Sequence, residues 1–570
     1  MRGILRLGLM VLLVAAAGVG IVRGAQWNDY TDKNGVTWEY EEIEADKTCR
    51  IKPKDKNAIG TKVDIPDDVK DLTVVEIAQE AFDGCSALEA VDIPNSVKAI
   101  GKSAFRSCFG LKKVKFSTGL TTIGESAFLN CHLKAVDFPN GLTRIGGSAF
   151  NNCNNLTEVK FPSGVQTIGN GAFQDCDRLK EVSISSSVRE IGDFAFSECK
   201  KLTEFKVEEK NASYSQVGGV LFRKDMDTLV SYPGKRTGDY KIPSSVKGIK
   251  AGAFYGCSGL TAVTIPGSVT KIGGRAFENC SSLTEVTIPG SVTAIVWGAF
   301  YGCSGLTKVT IPSSVTAIEW AAFYECRGLT EVTIPSSVTE IAEMAFQNCR
   351  RLKAIYWLAD ADCNVGDDAF LGIASSATLY VRQDERSAIR VNGKKWWEVV
   401  SKIEEGFEVT FQDGKGHTLG EQLVKPNGTA IEPTAPTKKG YTFVRWQLKG
   451  EKEKYDFINT KVTEDITLVA VWKKNEESTP STPKDPKTAV ESVQLAGVRV
   501  VRNPVGEALE LEGMERAARV EVYSVVGARV HAETLRGEPR VAIDAQGWAS
   551  GVYVVRVVAS DGERTLRVVK

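Results

Sequence analysis

An Ala-Phe pair recurs twelve times between residues 81 and 370, and its spacing constrains the fold more than any other feature of the chain. The phenylalanines are Phe82, Phe105, Phe128, Phe150, Phe173, Phe196, Phe254, Phe277, Phe300, Phe323, Phe346 and Phe370, and they step by 22 to 24 residues except across one gap of 58. Around each pair runs the phrase IGxxAFxxCxxLxxVxIPxSVxx, nearly complete from 272 to 292. Self-similarity at a fixed period of this length marks a solenoid, in which each repeat stacks on the next. One repeat has too few apolar positions to offset the entropy of ordering its own backbone, so repeats fold in a row and need caps. Such a stack offers a long binding surface rather than a catalytic pocket.

Within a repeat, LxxVxI alternates as a short half-buried strand does, seen in Leu283, Val286 and Ile288 and again in Leu306, Val309 and Ile311. The following proline, Pro289 or Pro312, cannot donate to a ladder and ends the strand. IGxxAFxxC is expected to form a turn and a brief helical stretch that returns the chain to the next strand. The position between Val and Ile is predicted to face solvent, and it reads Asp92, Lys115, Asp137, Lys160, Ser183, Lys206, then Thr264, Thr287, Thr310, Thr333 and Tyr356. The first half is a mixed-charge ladder and the second a threonine ladder; both keep a sheet face soluble, and either could meet a partner. Of 13 cysteines, the eleven from Cys85 to Cys349 lie three residues after a repeat phenylalanine. Equivalent positions in a stack point the same way and do not converge as a disulfide requires, so these are expected to form a buried ladder of small hydrophobes. Cys49 and Cys363 fall outside the pattern and are left open as free or paired.

LxxVxIP followed by SVxxIGxxAFxxC resembles the BspA-like class of leucine-rich repeat found on bacterial surface proteins. The resemblance covers residues 26 to 405, including an entry strand at 37–42 and a closing strand at 377–381. The 58-residue gap holds VGGVLFRKD at 217–225, then LVSYPG and IPSSV, an irregular turn that the family tolerates.

The 570 residues exceed one ordinary domain, and 71 basic residues balance 71 acidic ones. With no basic stripe interleaved with aromatics, nothing points to a nucleic-acid partner. Arg2 and Arg6, an apolar run at 7–22 and small residues at Gly24 and Ala25 predict a signal peptide over 1–25, cleaved near Ala25. No later stretch is long and apolar enough to span a bilayer. Residues 406–473 (VTF, PTAPTKKGYTFVRW, TLVAVW) are similar to the internalin-type B repeat, which implies a small β-grasp-like module with Tyr441, Trp446 and Trp472 in its core. Residues 474–492, rich in Pro, Ser, Thr and charge, read as a linker. Residues 493–570 read as a β-sandwich and are similar to the C-terminal sorting domain of the type IX secretion system at Asn503-Pro504, Gly527 and Gly551-Val552-Tyr553. That resemblance implies transit across the outer membrane of a Gram-negative bacterium, removal of the domain, and retention at the surface or release. The fold class expected is therefore mainly β with short helical turns: a solenoid, a β-grasp-like module and a C-terminal β-sandwich.

The three histidines, His132, His417 and His531, fall in three different domains, so no histidine-based triad or metal site assembles within one. Gly101-Lys102-Ser103 ends like a phosphate loop, but the earlier glycine is replaced by Ser96. The chain is read as a non-enzyme with no cofactor and no metal. Trp297 with Tyr301 and Trp320 with Tyr324 repeat four apart in adjacent repeats, where other repeats carry Gly, Arg, Glu or Gln. They are candidate partner-binding residues, or they pack on one another or on the module. The expected function is a secreted, surface-displayed adhesion or ligand-binding protein that meets host matrix proteins, bacterial surface proteins or glycans, with a structural spacer as the alternative.

Overall fold

Each regular repeat closes one flat coil, and three backbone ladders hold successive coils together. The first joins the LxxVxI strands, as where Glu285–Thr287 pairs in parallel with Lys308–Thr310. The second joins the two-residue strands after the proline turn, such as Ala294–Ile295, Ala317–Ile318, Glu340–Ile341 and Asn364–Val365 in one parallel sheet. The third runs through the Ala-Phe segment. Arg275 N–H donates to the Trp297 carbonyl at 3.0 Å, Phe277 to Ala299 at 2.8 Å and Asn279 to Tyr301 at 2.8 Å. The N–H groups between them turn back three residues, Ala276 to Gly273, Glu278 to Arg275 and Cys280 to Phe277, each at 3.2 Å.

That alternation excludes a helix, and it corrects the expectation of a brief helical stretch. Every second donor is needed by the neighbouring coil, so the chain flips between right- and left-handed conformations instead of repeating one. The residues two before and two after the phenylalanine carry the flip, with φ of 54° at Arg275, 57° at Asn279, 59° at Gly298 and 67° at Gly302. The protein is nearly all-β; the one helical turn among the described residues is Lys56–Ala58.

The model is a computed structural model, and it describes residues 27–43, 47–360, 362–382, 400–433 and 435–475, then the strands at 499–500, 508–512, 519–524, 529–534, 540–544, 552–559 and 562–569. The signal segment with Ala25, all but the first two residues of the linker, and Asn503, Pro504, Gly527 and Gly551 of the sorting motif lie outside the described residues.

Inside the coils the repeat phenylalanines form two stacks, one from Phe82 to Phe196 and one from Phe254 to Phe370, with centroids in the second 4.8 Å apart between Phe254 and Phe277, 5.3 Å to Phe300 and 5.4 Å to Phe323. The eleven repeat cysteines are buried with free thiols. In nine of them the Sγ points at the phenylalanine carbonyl of the preceding coil, 3.0 Å for Cys303 to Phe277 and 3.2 Å for Cys326 to Phe300, while Cys85 and Cys257, at the start of each run of coils, reach the Lys56 and Tyr232 carbonyls. Burial pushes the thiols of Cys153 and Cys303 up to about 12, so they remain protonated and unreactive at neutral pH.

Two interruptions break the regularity. The repeat after Cys131 lacks one residue before its leucine, and its strand does not form, so the outer sheet restarts at Glu158–Lys160. The mixed-charge ladder predicted through Asp137 is interrupted there. The 58-residue gap holds a β-hairpin, Tyr214–Val217 against Val220–Arg223, turned by Gly218 and Gly219 at φ 55° and 79°. Both central residues left-handed is the type I′ geometry that matches strand twist. The hairpin divides the buried solenoid residues into two clusters, one from Trp38 to Val230 and one from Val220 to Val381.

At the entry, Asn28–Thr31, Thr37–Ile43 and Thr48–Pro53 form an antiparallel cap, and Trp38 packs edge-on to Phe82 at 6.1 Å. At the exit, Thr378–Val381 pairs in parallel with Lys402–Glu405, which leads directly into Phe407–Gln412 of the module. Arg382 reaches Glu408 at 2.7 Å, and the Ser336 hydroxyl donates to Glu421. The module is a four-stranded mixed sheet whose Phe407–Gln412 and Ile466–Lys474 run parallel. Trp446 is buried against Phe411 at 5.0 Å. Tyr441 departs from the expected core position: it is 36% exposed, and Lys438 lies over its ring at 4.7 Å and over Trp472 at 5.2 Å. The C-terminal unit contains a three-stranded and a four-stranded antiparallel sheet, with Leu509, Leu511, Val520, Val522, Val555 and Val557 buried.

Candidate ligand-binding surface

The Ala-Phe turns present three parallel rows of side chains, one from the residue three before the phenylalanine, one from the residue after it and one from the residue two after it. Trp297 and Trp320 occupy the first row and are 39% and 40% exposed. Tyr301 and Tyr324 occupy the second, and their rings stack at 4.8 Å. Stacking of coils brings these tyrosines together, not the four-residue spacing within a turn, because the turn is not helical. Asn348 Nδ2 donates to the Tyr324 hydroxyl at 3.3 Å, which fixes that ring against the next coil.

Trp297 has a packing role. A Cβ on Gly274 would fall 2.3 Å from its Cε2, so the indole lies flat where that glycine leaves room. A Cβ on Gly252 would fall 2.3 Å from Phe194 Cδ1, so Phe194 lies flat in the same manner from the other direction. The two rings meet at 6.2 Å, and the Arg275 guanidinium stands 5.2 Å from the indole centroid. Trp297 N–H donates to Glu319 at 2.9 Å.

Four contributors here escape a reading of the sequence. Tyr255 shares the row of Tyr301 and Tyr324, a signal present in the repeat pattern. Phe194 is 103 positions from Trp297 and becomes its neighbour only through the coil stack. Arg275 and Glu278 form a 3.3 Å ion pair beneath them. Glu278 is buried beside Tyr255, Glu198 and Asp175; desolvation outweighs the Arg275 guanidinium and pushes its carboxyl up to about 7. Tyr255 is pushed up by the same burial and by the carboxylates around it.

The strand face matches its predicted orientation: Asp92, Lys115, Lys160, Lys206, Thr264, Thr287 and Thr310 are exposed. Asp92 sits opposite Lys115 and Thr287 opposite Thr310, and Tyr356 stacks on Tyr380 at 5.0 Å. Among the described residues no group of three His, Cys, Asp or Glu side chains could hold a metal ion, and no helix is long and apolar enough to cross a membrane.

Comparison with known proteins places these surfaces in context. Residues 75–203 and 232–353 match the BspA type leucine rich repeat region in six copies. Residues 407–471 match the Listeria-Bacteroides repeat domain, and residues 502–570 match the secretion system C-terminal sorting domain. Among solved structures the chain is similar to the pneumococcal vaccine antigen PcpA, at 25% identity over 66% of this chain and 98% of that one, with a TM-score of 0.56. It is also similar to a leucine-rich repeat protein from Bacteroides ovatus, at 26% identity over 65% of this chain and 98% of that one, TM-score 0.38. A leucine rich cell surface protein from Faecalibacterium prausnitzii is 25% identical over 66% of this chain and 94% of that one, TM-score 0.44. The matched families are repeat scaffolds and a sorting module, and no catalytic family is among them.

Proposed function

From a chain that carries a BspA-type leucine-rich-repeat region, a Listeria-Bacteroides repeat domain and a secretion system C-terminal sorting domain, we propose a surface-displayed adhesion protein whose solenoid binds host matrix or bacterial surface proteins, or glycans. The sorting domain marks the chain for secretion and surface attachment. In this reading it is removed on export through the type IX system, and the rest stays attached to the outer membrane of a Gram-negative cell.

The observation that carries the binding role is the aromatic surface at Trp297, Tyr301, Trp320 and Tyr324, held on a backbone that three ladders make rigid. Large rings on a pre-organised scaffold bind at little entropic cost, which is why aromatic side chains dominate binding hot spots. A structural spacer is the second reading, favoured by the direct passage of the chain from Lys402–Glu405, which closes the last solenoid sheet, into Phe407–Gln412 of the module.

Binding of the full chain to an immobilised host matrix extract separates the two. Trp320→Gln is expected to weaken saturable binding by on the order of 2 kcal/mol with melting nearly unchanged. Trp297→Gln is expected to lower the melting temperature as well, because its ring fills the space over Gly274. No saturable binding by the wild-type chain sinks the adhesion reading in favour of the spacer.

A further inference from the structure

Beside the tyrosine row runs a groove of about 420 Å³, lined by Glu198, Lys200, Asn279, Glu325, Arg327 and small residues between them. Its volume is that of a small-ligand site. The floor is built rather than left over. Gly256 and Gly302 are left-handed, at φ 77° and 67°, and a Cβ on either would strike the side chain lying across it, Glu198 at 2.8 Å and Asn279 at 2.3 Å. Those two side chains are tied together, with Asn279 Nδ2 donating to Glu198 Oε1 at 3.2 Å.

The charges of the groove are satisfied among themselves. Lys200 pairs with Glu198 at 3.4 Å and with Asp177 at 3.2 Å, and Arg327 pairs with Glu325 at 2.9 Å. A charged peptide would have to break these pairs to form its own, and each end of the groove already carries both signs. What remains unengaged is neutral. Ser258, Ser281 and Ser304 are exposed, one per coil at a 23-residue interval, and flank the glycines of the floor. Next in sequence to the groove residues Gly302 and Glu325 are Tyr301 and Tyr324, whose rings stack on each other at 4.8 Å.

The geometry points to a binding site for a neutral oligosaccharide chain in the groove between Glu198 and Arg327, lying along the solenoid axis with sugar faces against Tyr301 and Tyr324. Hydroxyls of the sugar exchange hydrogen bonds with the serines, Asn279 and the groove carboxylates, while its C–H faces cover the tyrosine rings. The repeat of the site suits a repeating ligand. Successive coils are about 5 Å apart, as the ring stacks of 4.8 Å and 5.3 Å record, so consecutive sugar units can meet the same serine on consecutive coils. This assignment rests on the binding role proposed above and names its ligand class.

Isothermal titration of the full chain with neutral gluco-, manno- and xylo-oligosaccharides of about six units tests it, with a polyanionic glycosaminoglycan as the charged control. Saturable binding of at least one neutral oligomer is expected, and the paired change Ser281→Gln with Ser304→Gln is expected to weaken it at least tenfold. Both serines are exposed, so the melting temperature should not move. No neutral oligomer binding at millimolar concentration, binding of the charged control alone, or binding indifferent to the serine pair overturns the assignment. If the chain binds matrix extract yet fails these titrations, the adhesion reading survives and its ligand is a protein.

Discussion

At the residue scale, the left-handed positions of the Ala-Phe turn explain a compositional habit that hydrophobic patterning leaves unread. Two residues before the phenylalanine stand Ser103, Ser126, Ser148, Gly171, Gly252, Gly298 and Ala321, with the unbranched Glu80, Phe194, Arg275 and Met344, all with φ between 52° and 67° and none β-branched. Residues unbranched at Cβ are tolerated there and β-branched ones are not, because a branched Cβ crowds its own backbone in that conformation. Ser126→Val should therefore destabilise the protein by about 1–2 kcal/mol, whereas Ser126→Gly should be neutral or slightly stabilising. Urea denaturation of the two variants decides it; equal stabilities would mean that the turn relaxes. Glu278 supplies a second residue-scale prediction. Its folded-state pKa of about 7 lies above the ordinary 4.5, so the folded protein holds a proton that the unfolded chain releases. Stability is then fully present below about 4.5 and is lost as pH rises through 7, through the Arg275, Tyr255, Glu198 and Asp175 surroundings. With allowance for the water that reaches the site, the loss is on the order of 1–2 kcal/mol. Glu278→Gln should flatten that pH dependence between pH 5 and 8; an unchanged slope would assign the titration elsewhere.

At the scale of elements, the hairpin at Tyr214–Arg223 is where the solenoid is weakest in cooperativity. It lies between two buried clusters, each of which has its own phenylalanine stack. Across the junction scattered bonds replace the regular ladder: Lys250 Nζ donates to the Ile191 carbonyl at 2.6 Å, Ser197 to Gly252 at 2.9 Å, Glu198 N–H to Tyr255 at 3.1 Å and Lys235 N–H to Leu202 at 2.9 Å, and Lys250 pairs with Asp193 at 3.3 Å. Within the second cluster, Tyr232 N–H donates to the Ala253 carbonyl at 2.7 Å, and Tyr232 stacks on Phe254 at 4.9 Å, which closes the start of that phenylalanine stack. A repeat array with a weak internal interface unfolds in parts. Gly219→Val strains a left-handed residue and drives its Cβ into that of Glu204, 2.8 Å away. We expect it to cost on the order of 2 kcal/mol and to split the chemical unfolding curve into two transitions. A single transition at the wild-type midpoint would show that the halves are coupled by other means.

At the scale of the whole molecule, the order of parts assigns separate tasks. In the reading proposed above, the solenoid with its module carries the binding surfaces, and the C-terminal unit, which matches a secretion system sorting domain, carries the export signal. Deleting residues 493–570 should leave the protein folded but trapped in the periplasm, because no other segment is assigned to outer-membrane transit. Cell fractionation reads this directly, and undiminished surface display of the shortened chain would remove the export role from that segment.

Much of this protein was legible in its sequence because a solenoid is local: each coil contacts its neighbours, so the period alone identifies the architecture. The phenylalanine stacks, the buried thiols and the outward strand positions such as Thr287 and Lys115 all follow from the repeated phrase. The tertiary structure decided what the phrase could not encode. Backbone donors alternate between two coils, so the Ala-Phe turn is a zigzag of alternating hand and not a helix. Phe194 reaches Trp297 only because two glycines on intervening coils leave room, and the groove floor exists only because Glu198 and Asn279 lie across Gly256 and Gly302. Those contacts join side chains up to 103 residues apart, and they depend on which atoms are missing from the coil beneath. Periodicity places a residue in a row; the packing of rows against one another decides whether that residue fills space, pairs a charge or remains free to bind.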